Sequence, residues 1–185
     1  MDAPAVVIVP TAGRPGPLDA ALSSIAPQVR AARADLLVVD DGDGSQTKQI
    51  AARHGARYVR NEGSGLNAAR NTGVDHSQAP LICFTDDDVE VHDGWLAALI
   101  AAAGTEPEDV LVLTGPILAR FDGVTRRTCG RELPPITHLD LGPADTDARY
   151  AWGANMAVRR SALDRAGRFD TAIGGAGDEQ EWQDR

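Results

Sequence analysis

Three consecutive carboxylates, Asp86, Asp87 and Asp88, follow directly on the apolar run Leu81-Ile-Cys-Phe84. Side by side they repel one another, so the arrangement makes most sense if a cation is held there. In an extended segment, alternation points Asp86 and Asp88 the same way. Hard carboxylate oxygens suit Mg²⁺ or Mn²⁺, and Mg²⁺ commonly takes one or two carboxylates and fills its shell with phosphate oxygens. The competing reading is a solvated acidic turn ahead of the helix that starts near Gly94. A second acidic pair, Asp178 and Glu179, follows the glycine run Gly174-Gly-Ala-Gly177. Acids are favoured at a helix start by the dipole alone. A carboxylate beside another in a partly desolvated cleft can instead have its pKa raised toward the range useful for deprotonating a hydroxyl.

The elements that must carry these groups alternate. Val6-Val-Ile-Val9 predicts a strand, and Leu18, Leu22 and Ile25 at helical spacing predict a helix that runs until Pro27. Leu36-Leu-Val-Val39 ends at Asp40-Asp41-Gly42, Ser45 is placed to cap a helix reaching Gly55, and Arg57-Tyr-Val59 leads to Asn61. A third helix is expected over Asn67 to Val74. Leu81 to Phe84 is a fourth strand, and Trp95, Leu96, Leu99 and Ile100 mark the core stripe of the next helix. Further strands are expected at Val110 to Leu113, Ile117 to Phe121 and Asn155 to Val158, with a helix over Arg160 to Ala166 ended by Gly167. The stretch Asp122 to Arg149 lacks periodicity and reads as a long functional loop. Alternation of this kind implies a mostly parallel α/β sheet with helices on both faces. In such sheets the ligand sits beyond the carboxyl ends of the strands, so Thr11, Arg14, Asp40, Asp41, Asn61 and Asp86 to Asp88 should converge on one rim.

Several lookalikes compete. Gly63-Ser-Gly-Leu-Asn-Ala68 imitates the dinucleotide fingerprint, with Asp86 near the place of a ribose-binding acid. Arg70 on the following helix is better suited to a diphosphate, and little chain is left for a separate substrate domain. Asp41-Gly-Asp-Gly-Ser45 opens like a calcium loop, but its twelfth position is Ala52 where a bidentate Glu is required. Haloacid-dehalogenase-like phosphatases also use Asp-x-Asp after a strand, yet Glu90 stands where they need Thr or Val. His54, His76, His92 and His138 have no metal-ligand spacing, and His92 alone lies close enough to the carboxylates to be kept as a candidate.

Composition narrows the classes. A chain of 185 residues, 43% hydrophobic, is long enough to bury a core as one domain. Net charge −9 without a basic cluster argues against nucleic acid and anionic lipid as partners. Lys48 is the only lysine, which leaves Schiff-base and phosphate-grip lysine mechanisms without support. Cys83 and Cys129 are too few for a disulfide framework, and Trp95 to Gly104 is too short to span a bilayer; the expectation is a cytoplasmic protein, with the inner face of a membrane open to it through a lipid-linked substrate. Asp178 to Arg185 is helical in pattern without a C-terminal cap, so either a very short natural protein or a fragment is expected.

Val-Val-Ile-Val-Pro-Thr-Ala-Gly-Arg-Pro (6–15), Val-Val-Asp-Asp-Gly-Asp-Gly-Ser (38–45), Leu-Asn-Ala-Ala-Arg-Asn-Thr-Gly (66–73), Phe-Thr-Asp-Asp-Asp (84–88), Gly-Ala-Asn-Met-Ala-Val-Arg-Arg (153–160) and Gly-Arg-Phe-Asp (167–170) occur in this order. Together with Gly-Gly-Ala-Gly-Asp-Glu-Gln-Glu-Trp at 174–182, they resemble family 2 inverting glycosyltransferases of GT-A fold. The resemblance spans nearly the whole chain. It implies a single catalytic domain over 1–185, with a nucleotide-sugar half at 1–121 and a sugar and acceptor half at 122–185. It implies a nucleotide-sugar donor, foremost a UDP-sugar, with Mn²⁺ or Mg²⁺ and an acceptor hydroxyl on a glycan, lipid-linked or small molecule. Thr11, Arg14, Asp40 or Asp41, Arg70, Asp86 and Asp87 would line the donor, Arg70 facing its diphosphate and Asp86 its ribose. Asp88, with Asp86, would hold the metal. Asn155, Met156 and Trp152 would shape the sugar and acceptor side. Glu179 is the positional match to the family's base, while Asp178 keeps the usual base's chemistry. Gly42-Asp43-Gly44 is an insertion-like departure at the base contact. Two other readings stand beside this one: a relative that binds nucleotide sugar without turnover, and a sugar-nucleotide pyrophosphorylase suggested by Pro10 to Leu18.

Overall fold

The computed structural model describes residues 3–120 and 138–173. Its centre is β1 (Ala5–Thr11), buried along its whole length. On one side of it lie β2 (Asp35–Asp40) and β3 (Arg57–Arg60), and on the other β4 (Leu81–Phe84), β6 (Met156–Arg159) and β5 (Val112–Thr114), giving the order β3-β2-β1-β4-β6-β5. The first four strands are parallel, and β6 runs antiparallel to both β4 and β5. The expected mostly parallel sheet with two covered faces is therefore observed.

Alternation along the strands sorts the core into two layers. Val7 and Val9 face α1 (Pro15–Ala32), α2 (Ser45–His54) and α4 (Trp95–Thr105), whose Leu22, Ile25, Ile50, Leu96 and Leu99 complete that layer. Val6 and Ile8 face α3 (Leu66–Asp75) and α5 (Arg160–Ala166), with Val74, Ala162, Leu163 and Phe169. Gly73 lets α3 come this close: a Cβ there would lie 2.6 Å from Cγ2 of Ile8. Cys83 points into the first layer, wholly buried, and burial pushes its thiol up to about 12. In a Cys129→Ser background, an aromatic disulfide reagent is expected to titrate no thiol in the native chain and one after unfolding. Reaction of Cys83 in the native state would show that β4 is not covered as described.

Five local expectations are corrected. α1 does not stop at Pro27 but continues to Ala32, because Ala26 and Val29 extend its buried stripe and the proline forfeits only its own N–H bond. The first residue of α2 is Ser45, with Gly44 preceding it at φ +87°; Asp43 Oδ1 accepts from the Ser45 backbone N–H and hydroxyl instead. The fifth strand covers Val112–Thr114 rather than Val110 to Leu113, since Val110 is drawn into a turn by its N–H bond to Pro107 O. Ile117 to Phe121 is not a strand; Ile117 makes one isolated bridge to Leu139, and Phe121 falls outside the described residues. Asn155 closes a 3-10 turn over Gly153–Asn155 instead of starting β6.

Candidate functional site

The strand order reverses direction at β1, so the crevice between the carboxyl ends of β1 and β4 is the switch point where an α/β sheet receives a ligand. Thr11 ends β1, and Asp86 to Asp88 leave β4 beside it. The acidic segment is not extended. It folds into a turn closed by Val89 N–H on Asp86 O at 3.3 Å, which ends the alternation expected from an extended chain. Asp87 turns inward, Asp86 is half-buried, and Asp88 is exposed.

Asp87 is the anchor of this rim. Its Oδ2 accepts from Thr11 Oγ1 at 2.6 Å, and its Oδ1 accepts from an Arg14 Nη at 2.7 Å. The other Nη of Arg14 donates to Asp88 Oδ2 at 2.6 Å. Burial raises the Asp87 carboxyl above its ordinary value, with Thr11 and Arg14 opposing. The Arg14 guanidinium is held above its usual value, first by its hydrogen bond to Asp88.

The two carboxylates after β2 divide their work. Asp40 is 0% exposed; it accepts from Gly42 N–H at 2.8 Å and from Tyr58 Oη at 3.2 Å. Desolvation, with Asp40 adding to it, lifts the Tyr58 phenol above its normal value. Asp41 reaches across to the β3–α3 loop, where it accepts from Asn61 Nδ2 at 2.9 Å and from Gly65 N–H at 2.8 Å. Its own N–H donates to Thr11 O at 2.9 Å. Three loops are thereby tied into one wall. Arg60 donates to Gly42 O and fixes the outer turn of the same wall.

Arg70 is buried on the first turns of α3, with one Nη donating to Asn67 Oδ1 at 3.2 Å and the guanidinium 5.6 Å from the centroid of the Phe169 ring. Phe169 also meets Phe84 edge-on at 5.6 Å. Two asparagines, not singled out individually from the sequence, dock the segment after α5 onto α3. Asn71 exchanges two hydrogen bonds with the Phe169 backbone, at 2.9 and 3.0 Å, and Asn67 Nδ2 donates to Asp170 O at 2.8 Å. The available signal was the placement of Asn inside a helix, where a polar short side chain is disfavoured unless it bonds elsewhere. In the sequence Tyr58 and Trp95 mark only a strand and a core stripe, and the polar ends of both side chains find partners outside their own elements. Trp95 Nε1 donates to Asn155 Oδ1 at 2.9 Å, which ties α4 to the turn before β6. Met156 is wholly buried in the sheet, so it packs the core rather than a substrate pocket. Trp152 is half-buried, His92 is exposed, and Asp178 and Glu179 lie outside the described residues.

Among the described residues no group of three or more His, Cys, Asp and Glu side chains is arranged to hold a metal ion. Asp86, half-buried, and Asp88, exposed, carry hard oxygen donors on this turn, a chemistry that suits a divalent ion completing its shell from ligand phosphates and water. Asp87, buried and bonded to Thr11 and Arg14, faces inward rather than toward such an ion.

A family model described as "Glycosyl transferase family 2" matches residues 6–167. Glycosyltransferase AglE of Haloferax volcanii is 25% identical over 150 residues, covering 78% of this chain and 48% of the relative. The chain thus spans about half the length of that relative. The solved mannosyltransferase PcManGT of Pyrobaculum calidifontis, a complex with GDP-Man and Mn²⁺, superposes with TM-score 0.67 at 22% identity, over 98% of this chain and 51% of that one. Glucosyl-3-phosphoglycerate synthase of Mycobacterium tuberculosis, solved with Mn²⁺ and UDP-glucose, gives TM-score 0.51 at 22% identity, over 58% of this chain and 41% of that one. These superpositions bear out the expected fold class, and the family match sets aside the dinucleotide and pyrophosphorylase readings.

Proposed function

The chain belongs to glycosyl transferase family 2, and from that premise we propose that it moves a sugar from a nucleotide-diphosphate donor to an acceptor hydroxyl with inversion, in a divalent-metal-dependent reaction. The observation that carries the reading is the convergence of Thr11 and Arg14 with Asp87 and Asp88 at the mouth between β1 and β4, joined through the Asp41 N–H on Thr11 O to the wall beside it. The solved relatives named above hold a nucleotide sugar and Mn²⁺, which supports a donor of that class here. Residues 1–121 form the donor half and 122–185 the acceptor half of one catalytic domain.

Asp88, with Asp86, would hold Mn²⁺ or Mg²⁺ by carboxylate oxygens. When bound, such an ion neutralises charge on a departing nucleoside diphosphate. Asp41 and Asp40 shape the side of the site toward the base and ribose, Asp40 from inside through the Gly42 turn. Thr11 and Asp87 hold the first loop against the acidic turn. Arg70 brings a cation to α3 for the diphosphate side. Glu179 or Asp178 takes the proton of the acceptor hydroxyl as it attacks the anomeric carbon from the face opposite the leaving group. The two substrates need only be held in line for much of the rate to follow. No described helix is long and apolar enough to cross a membrane. A cytoplasmic setting, with an acceptor that is a glycan, a small molecule or a lipid-linked one reached at the inner membrane face, accords with the few cysteines.

Calorimetric titration with UDP, GDP and dTDP, each with Mn²⁺ and again with chelator, tests the donor site. Metal-dependent binding of one diphosphate is expected, with UDP foremost. Binding of none overturns the assignment, while binding without release of diphosphate from the matching nucleotide sugar would favour a binding protein without turnover.

A further inference from the structure

Arg14 stands at the N-cap of α1, its carbonyl accepting from Leu18 N–H at 3.1 Å, so its backbone is fixed and only its side chain is free to move. That side chain spans two carboxylates of very different setting. The one it shares with Asp87 is 5% exposed and is also held by Thr11; the one on Asp88 is 50% exposed, and the Arg14 side chain itself is 48% exposed. An ion pair in water is weak, whereas a hydrogen-bonded pair at a buried carboxylate is not readily given up. The guanidinium is therefore anchored at one end and loosely closed at the other.

We propose that Arg14 is a latch on the acidic turn: without a divalent ion it bridges Asp87 and Asp88, and a divalent cation taken by Asp88 displaces it from Asp88 while Asp87 keeps the other half of the guanidinium. The proposal rests on the metal-binding reading above. Asp87, buried and held by Thr11 as well as by Arg14, is the hinge on which the latch turns. Before metal arrives, one guanidinium is shared by the adjacent carboxylates Asp87 and Asp88. Opening frees one Nη and its N–H donors at the mouth of the site, so metal loading and the display of a donor to an anionic ligand become one event. The motion is a side-chain rotation, fast on the scale of turnover.

The test uses the chain without nucleotide. Free Mn²⁺ is followed by electron paramagnetic resonance during titration of wild type, Arg14→Gln and Asp88→Asn. Side-chain guanidinium signals of Arg14 are followed by nuclear magnetic resonance during titration of wild type with diamagnetic Mg²⁺. Removing the internal competitor should tighten Mn²⁺ binding in Arg14→Gln by roughly fivefold, in line with the strength of an exposed ion pair. In wild type the two Nη groups, held apart by separate partners, should change as Mg²⁺ saturates. Mn²⁺ affinity unchanged or weaker in Arg14→Gln overturns the latch. So does tighter binding with Arg14 signals unmoved by Mg²⁺, which would mean that charge alone is at work. If wild type and Arg14→Gln bind no more Mn²⁺ than Asp88→Asn, the metal reading itself fails, and the latch with it.

Discussion

Asp88→Asn is expected to weaken metal-dependent binding of the selected nucleoside diphosphate by about a hundredfold or more, because it removes an anionic oxygen donor from a site with few of them. The melting temperature should scarcely change. Asp88 is exposed, and the Arg14 Nη that donates to it keeps Asp87 through the neighbouring nitrogen. The neighbouring substitution should do the reverse. In Asp87→Asn the amide oxygen can face Arg14, but the amide nitrogen then forces the Thr11 hydroxyl to turn and accept, and the charge-assisted bond to Arg14 becomes a neutral one. A loss of about 1–3 kcal/mol in stability follows. Paired calorimetric titrations and thermal melts separate the two. Retained diphosphate affinity in Asp88→Asn would remove the metal from Asp88. An Asp88→Asn variant as unstable as Asp87→Asn would show that the whole turn is structural.

What could be read from the residues alone follows a physical line. Val6 to Val9, Leu36 to Val39 and Leu81 to Phe84 are apolar runs long enough only for buried strands, and each ends in polar residues. A parallel sheet then leaves those residues no place but one rim. Which carboxylate does what was not legible. Asp86, Asp87 and Asp88 differ only in the φ and ψ of a turn that forms against β1, and it is Thr11 and Arg14, more than seventy residues away in sequence, that select Asp87 as the inward one. Asp40 and Asp41 are likewise adjacent and alike, yet Tyr58 from β3 claims the first and Gly65 from the loop before α3 the second. Pro27 misled because local propensity argues for a helix end, whereas the buried stripe running on to Val29 outweighs one lost hydrogen bond. The roles of Asn67 and Asn71 depend on a segment about a hundred residues downstream and leave only a faint local trace.

That docked segment bears on the base. Asn67 and Asn71 hold the backbone of Phe169 and Asp170 to α3, and Asn67 Nδ2 also donates to Ile173 O at 3.3 Å. Asp178 and Glu179 follow Ile173 by five and six residues, so the tether of either one starts from a fixed point on the helix that carries Arg70. Glu179→Gln and Asp178→Asn are each isosteric and each remove a proton acceptor. One of them is expected to lower turnover by about a thousandfold, within the range for loss of a general base, and the other by less than tenfold. Turnover is read as diphosphate released from the nucleotide sugar matching the diphosphate that binds, with water as acceptor where no other is supplied. Affinity for diphosphate with Mn²⁺ should be unchanged in both, since neither carboxylate is assigned to the donor. The pH profile supplies the sign: a base works deprotonated, so wild-type turnover falls as pH drops through its pKa, and the variant lacking the base should lose that acidic limb. Turnover within tenfold of wild type in both variants would place the base elsewhere. Weakened diphosphate binding in the slow variant would make its carboxylate part of the donor site.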